Sequence, residues 1–187
     1  MSSKVERLVQ RYEQFCSLPW ERTLAGPQRI WFLVYDKNDE RRLRARVSEF
    51  EVTTKKAGHG WRLVDLTDAF GTWMAVEEYR ESYFENPEDL ELLLPEFEQT
   101  VVDQIKAELE HPETNEDTVV AVQGIACLFG FTKVSSVVNK LAPFVRGRLL
   151  VFFPGEHEDN NYRLLDARDG WNYMAIPITA HDGADAR

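Results

Sequence analysis

Four short runs rich in apolar, β-branched and aromatic residues limit what this chain can fold into. They span residues 29–35, 61–66, 118–124 and 148–153. Such a run, bounded by turn residues, describes a strand covered on both faces, as strands of a parallel sheet are. Gly26-Pro27 precedes the first, Asp36-Lys37-Asn38-Asp39 follows it, and Gly58-His59-Gly60 leads into the second. Helical patterns lie between them. Leu43, Val47 and Phe50 mark a helix capped by Asn38 or Asp39 and expected to run to about Lys56; Phe70, Trp73 and Met74 mark another capped by Thr67 or Asp68. Strand, helix, strand, helix predicts parallel crossover units.

The remaining segments fit the same plan. Val5, Leu8, Val9, Tyr12 and Phe15 recur at helical spacing, so residues 1–18 are expected to form an amphipathic helix stopped before Pro19. Asn86-Pro87-Glu88-Asp89 is a helix start with Asn86 as its cap, and Pro95 opens a second piece with Phe97, Val101, Ile105 and Leu109 in one stripe. A further helix turns Val134, Val137, Val138 and Leu141 inward. Only eight residues separate the fourth strand from the next apolar piece at 162–165, too few for a helical crossover, so the end of the chain is expected to be antiparallel. Asp169-Gly170 would turn that hairpin into 171–178, and the tail 179–187 would fray. The expected fold is a single α/β domain over 1–187. It is a three-layer, Rossmann-like, mostly parallel sheet of about five strands, with helices on both faces and an antiparallel C-terminal hairpin.

Several function classes are disfavoured on these residues. The longest apolar runs, 30–34 and 149–154, are far short of the ~18 residues a membrane span requires. Met1-Ser2-Ser3-Lys4-Val5-Glu6-Arg7 opens directly into a charged amphipathic pattern, so no secretion signal is expected. Cys16 and Cys127 sit in apolar surroundings and read as core thiols of a cytoplasmic protein. Neither G-x-x-x-x-G-K-[ST] nor G-x-G-x-x-G follows the first strand, and there is no nucleophile elbow. His59, His111, His157 and His181 are scattered without a ligand partner at helical spacing, so no metal, cofactor or catalytic residue is expected.

Charge is distributed unevenly. Of the net −10, residues 1–75 carry +3, residues 76–117 carry −13, and the remainder balances. An acidic body repels phosphate backbones, so direct nucleic-acid binding is not expected. The basic cluster Arg41, Arg42, Arg44 and Arg46 reads as a solvated helix face, with phosphate contact the lesser reading.

In open α/β sheets, ligands and partners bind beyond the carboxyl ends of the strands. Those ends offer Asp36, Asp65, Gly124 and Pro154-Gly155-Glu156. Asp36 and Asp65 could share a cation or a proton, or each could serve as a helix cap. Downstream, Asn160, Asn161, Arg163, Asp169, Asn172 and Tyr173 place many hydrogen-bonding groups around turns. They serve either to tie down a loop or as a recognition surface.

A buried strand ending Phe152-Phe153-Pro154-Gly155, a loop, and then Asp169-Gly170-Trp171-Asn172-Tyr173 opening the last strand resembles the BrxB-like family of BREX phage-defence islands. Leu128-Phe129-Gly130-Phe131 before a helix is similar to that family's Phe-Pro-Phe stretch, and 30–36 resembles its first strand ending Tyr-Asp. The resemblance covers about 30–178. Two departures are Met174, where the family's Asn-Tyr-Tyr-Arg-Ala motif continues differently, and Gly130 in place of its proline. The resemblance implies a small non-catalytic component of a defence assembly. Its implied partners are a PglZ-like protein of the alkaline-phosphatase superfamily and a large BrxC-like ATPase.

Three hypotheses follow. In the first, the chain is an adaptor whose acidic flank, including Glu96, Glu98 and Glu108, meets a basic partner, with Trp20, Trp61, Trp73 and Trp171 available for docking. In the second, it is a degenerate nucleotide-binding or metal-dependent hydrolytic domain with Asp36 and Glu156 as its acids; in the third, it is an unrelated soluble domain whose acidity only aids solubility.

Overall fold

A computed structural model describes residues 3–168 and 170–181. The elements run α1 (Lys4–Ser17), β1 (Ile30–Tyr35), α2 (Glu40–Arg44), α3 (Val47–Lys56), β2 (Gly60–Asp65) and α4 (Ala69–Ala75). There follow α5 (Arg80–Glu85), α6 (Pro87–Leu90), α7 (Leu94–Leu109), β3 (Thr118–Gln123), α8 (Val134–Leu141), β4 (Arg148–Glu158), β5 (Asn161–Leu164), β6 (Trp171–Asn172) and β7 (Ile176–Ile178). The central sheet has the order β2-β3-β4-β1-β7, with every neighbouring pair parallel. The chain is thus mixed α/β with a mostly parallel sheet, as expected.

Alternation along the strands fills a core on each face. Ile30, Phe32 and Val34 join Leu149, Val151 and Phe153 on one side, covered by apolar residues of α4, α7 and α8. Trp31, Leu33 and Tyr35 join Leu150 and Phe152 on the other, covered by α1, α2 and α3. Ser3 caps α1 in a reciprocal box with Glu6. The buried Tyr12 hydroxyl shares a 2.6 Å hydrogen bond with Thr54, joining α1 to α3.

Three local expectations are corrected. The helix foreseen from Asp39 to Lys56 breaks at Ala45 and Arg46, so α2 and α3 are separate pieces. Asn86 precedes Pro87 as foreseen, but its side chain makes no capping bond. The fourth strand does not stop at Pro154-Gly155. β4 passes through both, pairing Pro154 with Tyr35 and then continuing to Glu158 against β5. The hairpin is tight there because Asp159 and Asn160 both take positive φ, 48° and 63°, as a two-residue turn matched to strand twist requires.

The chain end departs furthest from expectation. β5 pairs antiparallel with β4, and the two-residue β6 pairs antiparallel with β5. β7, however, lies parallel beside β1 at the sheet edge rather than completing a hairpin. Tyr173 and Ala175 bury between β6 and β7, which holds the crossing in place. Asp169, placed in the expected turn, and 182–187 of the expected tail lie outside the described residues.

Candidate functional site

The carboxyl ends of β1, β4 and β7 open onto one crevice of about 360 Å³. Lys4 and Leu8 of α1, the turn after β1, Glu156 and His157 of β4, Asp166, and His181 beyond β7 line it. The sequence-derived rim residues Asp36, Gly155 and Glu156 therefore converge on a real concavity, within the size range of ligand clefts.

Its acids are already occupied. The Asp36 carboxylate accepts from the backbone N–H of Asn38 at 2.8 Å, which closes the turn into α2 and holds the carboxyl below its ordinary value. Lys37 is ion-paired with Asp166 across the crevice. The Tyr35 hydroxyl donates to Glu40, whose other oxygen accepts from Arg44 at 2.6 Å. Burial lowers His157, which packs against Tyr162 and so favours its neutral imidazole.

Asp65 ends β2, and in the order β2-β3-β4-β1 it stands three strand positions from Asp36, about 14 Å at ordinary strand spacing. A shared proton or cation between them is overturned by that order. Asp65 instead accepts from Thr67 and, at 2.8 Å, from Gln123. Burial acts to raise its carboxyl, but these bonds and nearby Arg44 outweigh it, so the acid sits below its ordinary value. A general acid needs the opposite displacement, toward neutral pH.

The turn-rich region divides. Asn160, Asn161, Arg163 and Asn172 are exposed around the β4–β5–β6 ribbon. Arg163 faces Glu156 across the ladder, with an ion pair at 3.6 Å. Pro154 and Tyr173 are buried, so neither can belong to a recognition surface; Tyr173 packs beside Phe32 at 6.1 Å between ring centroids.

The acidic flank divides as well. Glu96 is exposed in the first turn of α7. Glu98 is tied to Lys140 at 2.7 Å and to Ser136 at 2.7 Å, and it also accepts from Thr132, locking α7 to α8. Burial raises its carboxyl, but these partners outweigh it and the net displacement is downward. A carboxyl held below its unfolded value stabilises the fold fully above that value, and the contribution is lost as pH falls through the folded value. Glu98→Gln is expected to cost about 1.5–3 kcal/mol in denaturant unfolding at neutral pH. The gap from wild type should close below the ordinary glutamate value of 4.5. Glu108 is bound to Arg62 on the edge strand β2. Reversing all three charges would therefore damage the fold before it tested docking.

Of the arginine cluster, Arg42, Arg44 and Arg46 form ion pairs with Asp39, Glu40 and Glu49, in keeping with a solvated helix face. Cys16 is buried as expected, whereas Cys127 is half-buried. Of the tryptophans named for docking, Trp73 is buried, Trp20 stacks on His59 with centroids 3.6 Å apart, and Trp61 and Trp171 are half-buried against the core. No helix among the described residues is long and apolar enough to cross a membrane, and no group of three or more potential metal ligands occurs among them.

No family model, curated protein or solved structure matches this chain. The site must therefore be read from its own chemistry. The sequence reading missed Val76, Tyr79, Phe84 and Leu92, which are 80%, 63%, 65% and 85% exposed. The available signal was their position in the most acidic stretch, where the count of acids drew attention away from the apolar residues between them.

Proposed function

We propose that this chain is a non-catalytic adaptor of a BREX-type anti-phage assembly, docking a PglZ-like protein, a BrxC-like ATPase, or both. In this reading the slab is a three-layer, Rossmann-like body whose strand-end edge has been turned from chemistry to recognition. One observation carries it. The carboxylates at that edge, Asp36 and Asp65, are fixed as hydrogen-bond acceptors and held ionised, which suits them to shape a surface and unsuits them to transfer protons. The resemblance over 30–178 supplies the assembly.

The crevice also favours a second reading, a degenerate nucleotide-binding or metal-dependent hydrolytic domain with Asp36 and Glu156 as its acids, because its volume would admit a small ligand. Mixing the purified chain with each proposed partner and measuring the mass of the eluting species separates the two. A stable complex with at least one partner is expected, and its gene is expected beside a methyltransferase gene, a giant ATPase gene and a phosphatase-like gene. A chain that stays alone with both partners sinks the adaptor reading.

A further inference from the structure

Residues 76–93 link α4 to α7 through two short helices, α5 and α6, neither of which has a buried residue. Helices of six and four residues have no stability of their own, so contacts hold them. Tyr83, Leu90 and Leu93 lean partly on the core and provide that attachment. On the outward side stand Val76, Tyr79, Phe84 and Leu92, four of the nine large hydrophobic residues exposed among the described residues. Single exposed apolar residues are ordinary on any surface, but four within seventeen consecutive positions are not.

The charge of the same segment indicates what would cover them. It carries seven acids and one base. None of the seven takes part in an ion pair among the described residues. Arg80 is turned onto the carbonyl of Ala75. Elsewhere many acids have basic partners, Glu40, Glu49, Glu51, Glu98 and Glu108 among them. A dense run of acids without ion pairs thus coincides with the stretch where the apolar side chains are exposed.

We infer that residues 76–93 form a docking element for a protein that presents apolar pockets rimmed by lysine and arginine. Apolar anchors inside a charged rim are the usual anatomy of a specific interface, with the anchors supplying affinity and the rim supplying rate and orientation. A second copy of this chain is a poor occupant. Three of the four arginines in its own basic cluster are already in ion pairs.

The inference rests on the adaptor reading, and the test keeps the two apart. The probes are the purified PglZ-like protein and the purified BrxC-like ATPase, each titrated with the full chain. Phe84→Ala combined with Leu92→Ala removes two exposed anchors, so the melting temperature should not change. Binding should weaken at least about tenfold. Glu85→Gln, Glu88→Gln and Glu91→Gln together should slow association and flatten the dependence on salt that wild type shows. If wild type binds a probe and both variants bind it equally well, the element is not the docking surface and the adaptor reading survives. If wild type binds neither probe, both fall. Loss of a wild-type dimer in the Phe84, Leu92 variant, seen by sedimentation, would assign the surface to a second copy and overturn the inference.

Discussion

Phe153→Ala is expected to destabilise the fold by about 3–5 kcal/mol, the range for truncating a buried aromatic residue. Phe153 is fully buried and stands where the parallel sheet passes into the antiparallel ribbon. Its ring lies 5.3 Å from Phe32, 5.6 Å from Trp171 and 5.9 Å from Tyr162 between centroids. The cavity cannot be refilled by one neighbour, because Phe32 and Tyr162 are themselves fully buried and locked to each other at 4.6 Å. Thermal unfolding should begin about 10 °C or more lower. A loss under 1 kcal/mol would mean that the ribbon does not pack on the sheet as described.

Gly155→Val is expected to cost about 3 kcal/mol or more and to act on the ribbon first. A Cβ at this position would fall 2.0 Å from the carbonyl oxygen of Arg163 and 2.8 Å from Cε1 of Phe153. The first obstacle is backbone, so no rotamer change relieves it; β4 and β5 must separate. That separation would disturb the side of the crevice built by Glu156 and His157. Gly71→Ala is the control. A Cβ there meets nothing within 4 Å, and its place inside α4 makes alanine neutral or stabilising by up to about 1 kcal/mol. Hydrogen exchange should show the loss for Gly155→Val at Tyr162 and Leu164 ahead of β1 and β3. Uniform loss across the sheet would contradict a local clash.

The parallel strands were legible because burial on both faces leaves an unbroken apolar run, and 30–35, 118–123 and 148–153 all carry one. Their order was not legible, because hydrophobicity records that a strand is covered and not which strand covers its edge. This is why Asp36 and Asp65 looked like possible partners and proved to lie three strands apart. β7 was misjudged for a related reason. Asp169-Gly170 is the stronger turn signal by residue type, yet the tight hairpin turn falls at Asp159-Asn160, where both residues accept positive φ. Rim residues Asp36, Gly155 and Glu156 were found because their place follows from strand direction alone. Glu98 and Tyr173 were misread as surface because tertiary partners, Lys140 for one and Phe32 for the other, decide their exposure.

Under the adaptor proposal, this body binds protein at the strand-end edge where open α/β sheets commonly hold ligands. The most direct test is the light-scattering mass of the purified chain after mixing with the PglZ-like protein or the BrxC-like ATPase, run alongside melting curves with common nucleotides and divalent cations. The adaptor proposal predicts a heavier complex with at least one protein and an unchanged melting temperature with every small ligand. A chain that elutes alone but melts several degrees higher with a nucleotide or cation, and loses that rise in Asp36→Asn or Glu156→Gln, would contradict it, because a ligand bound only to the folded state must stabilise it.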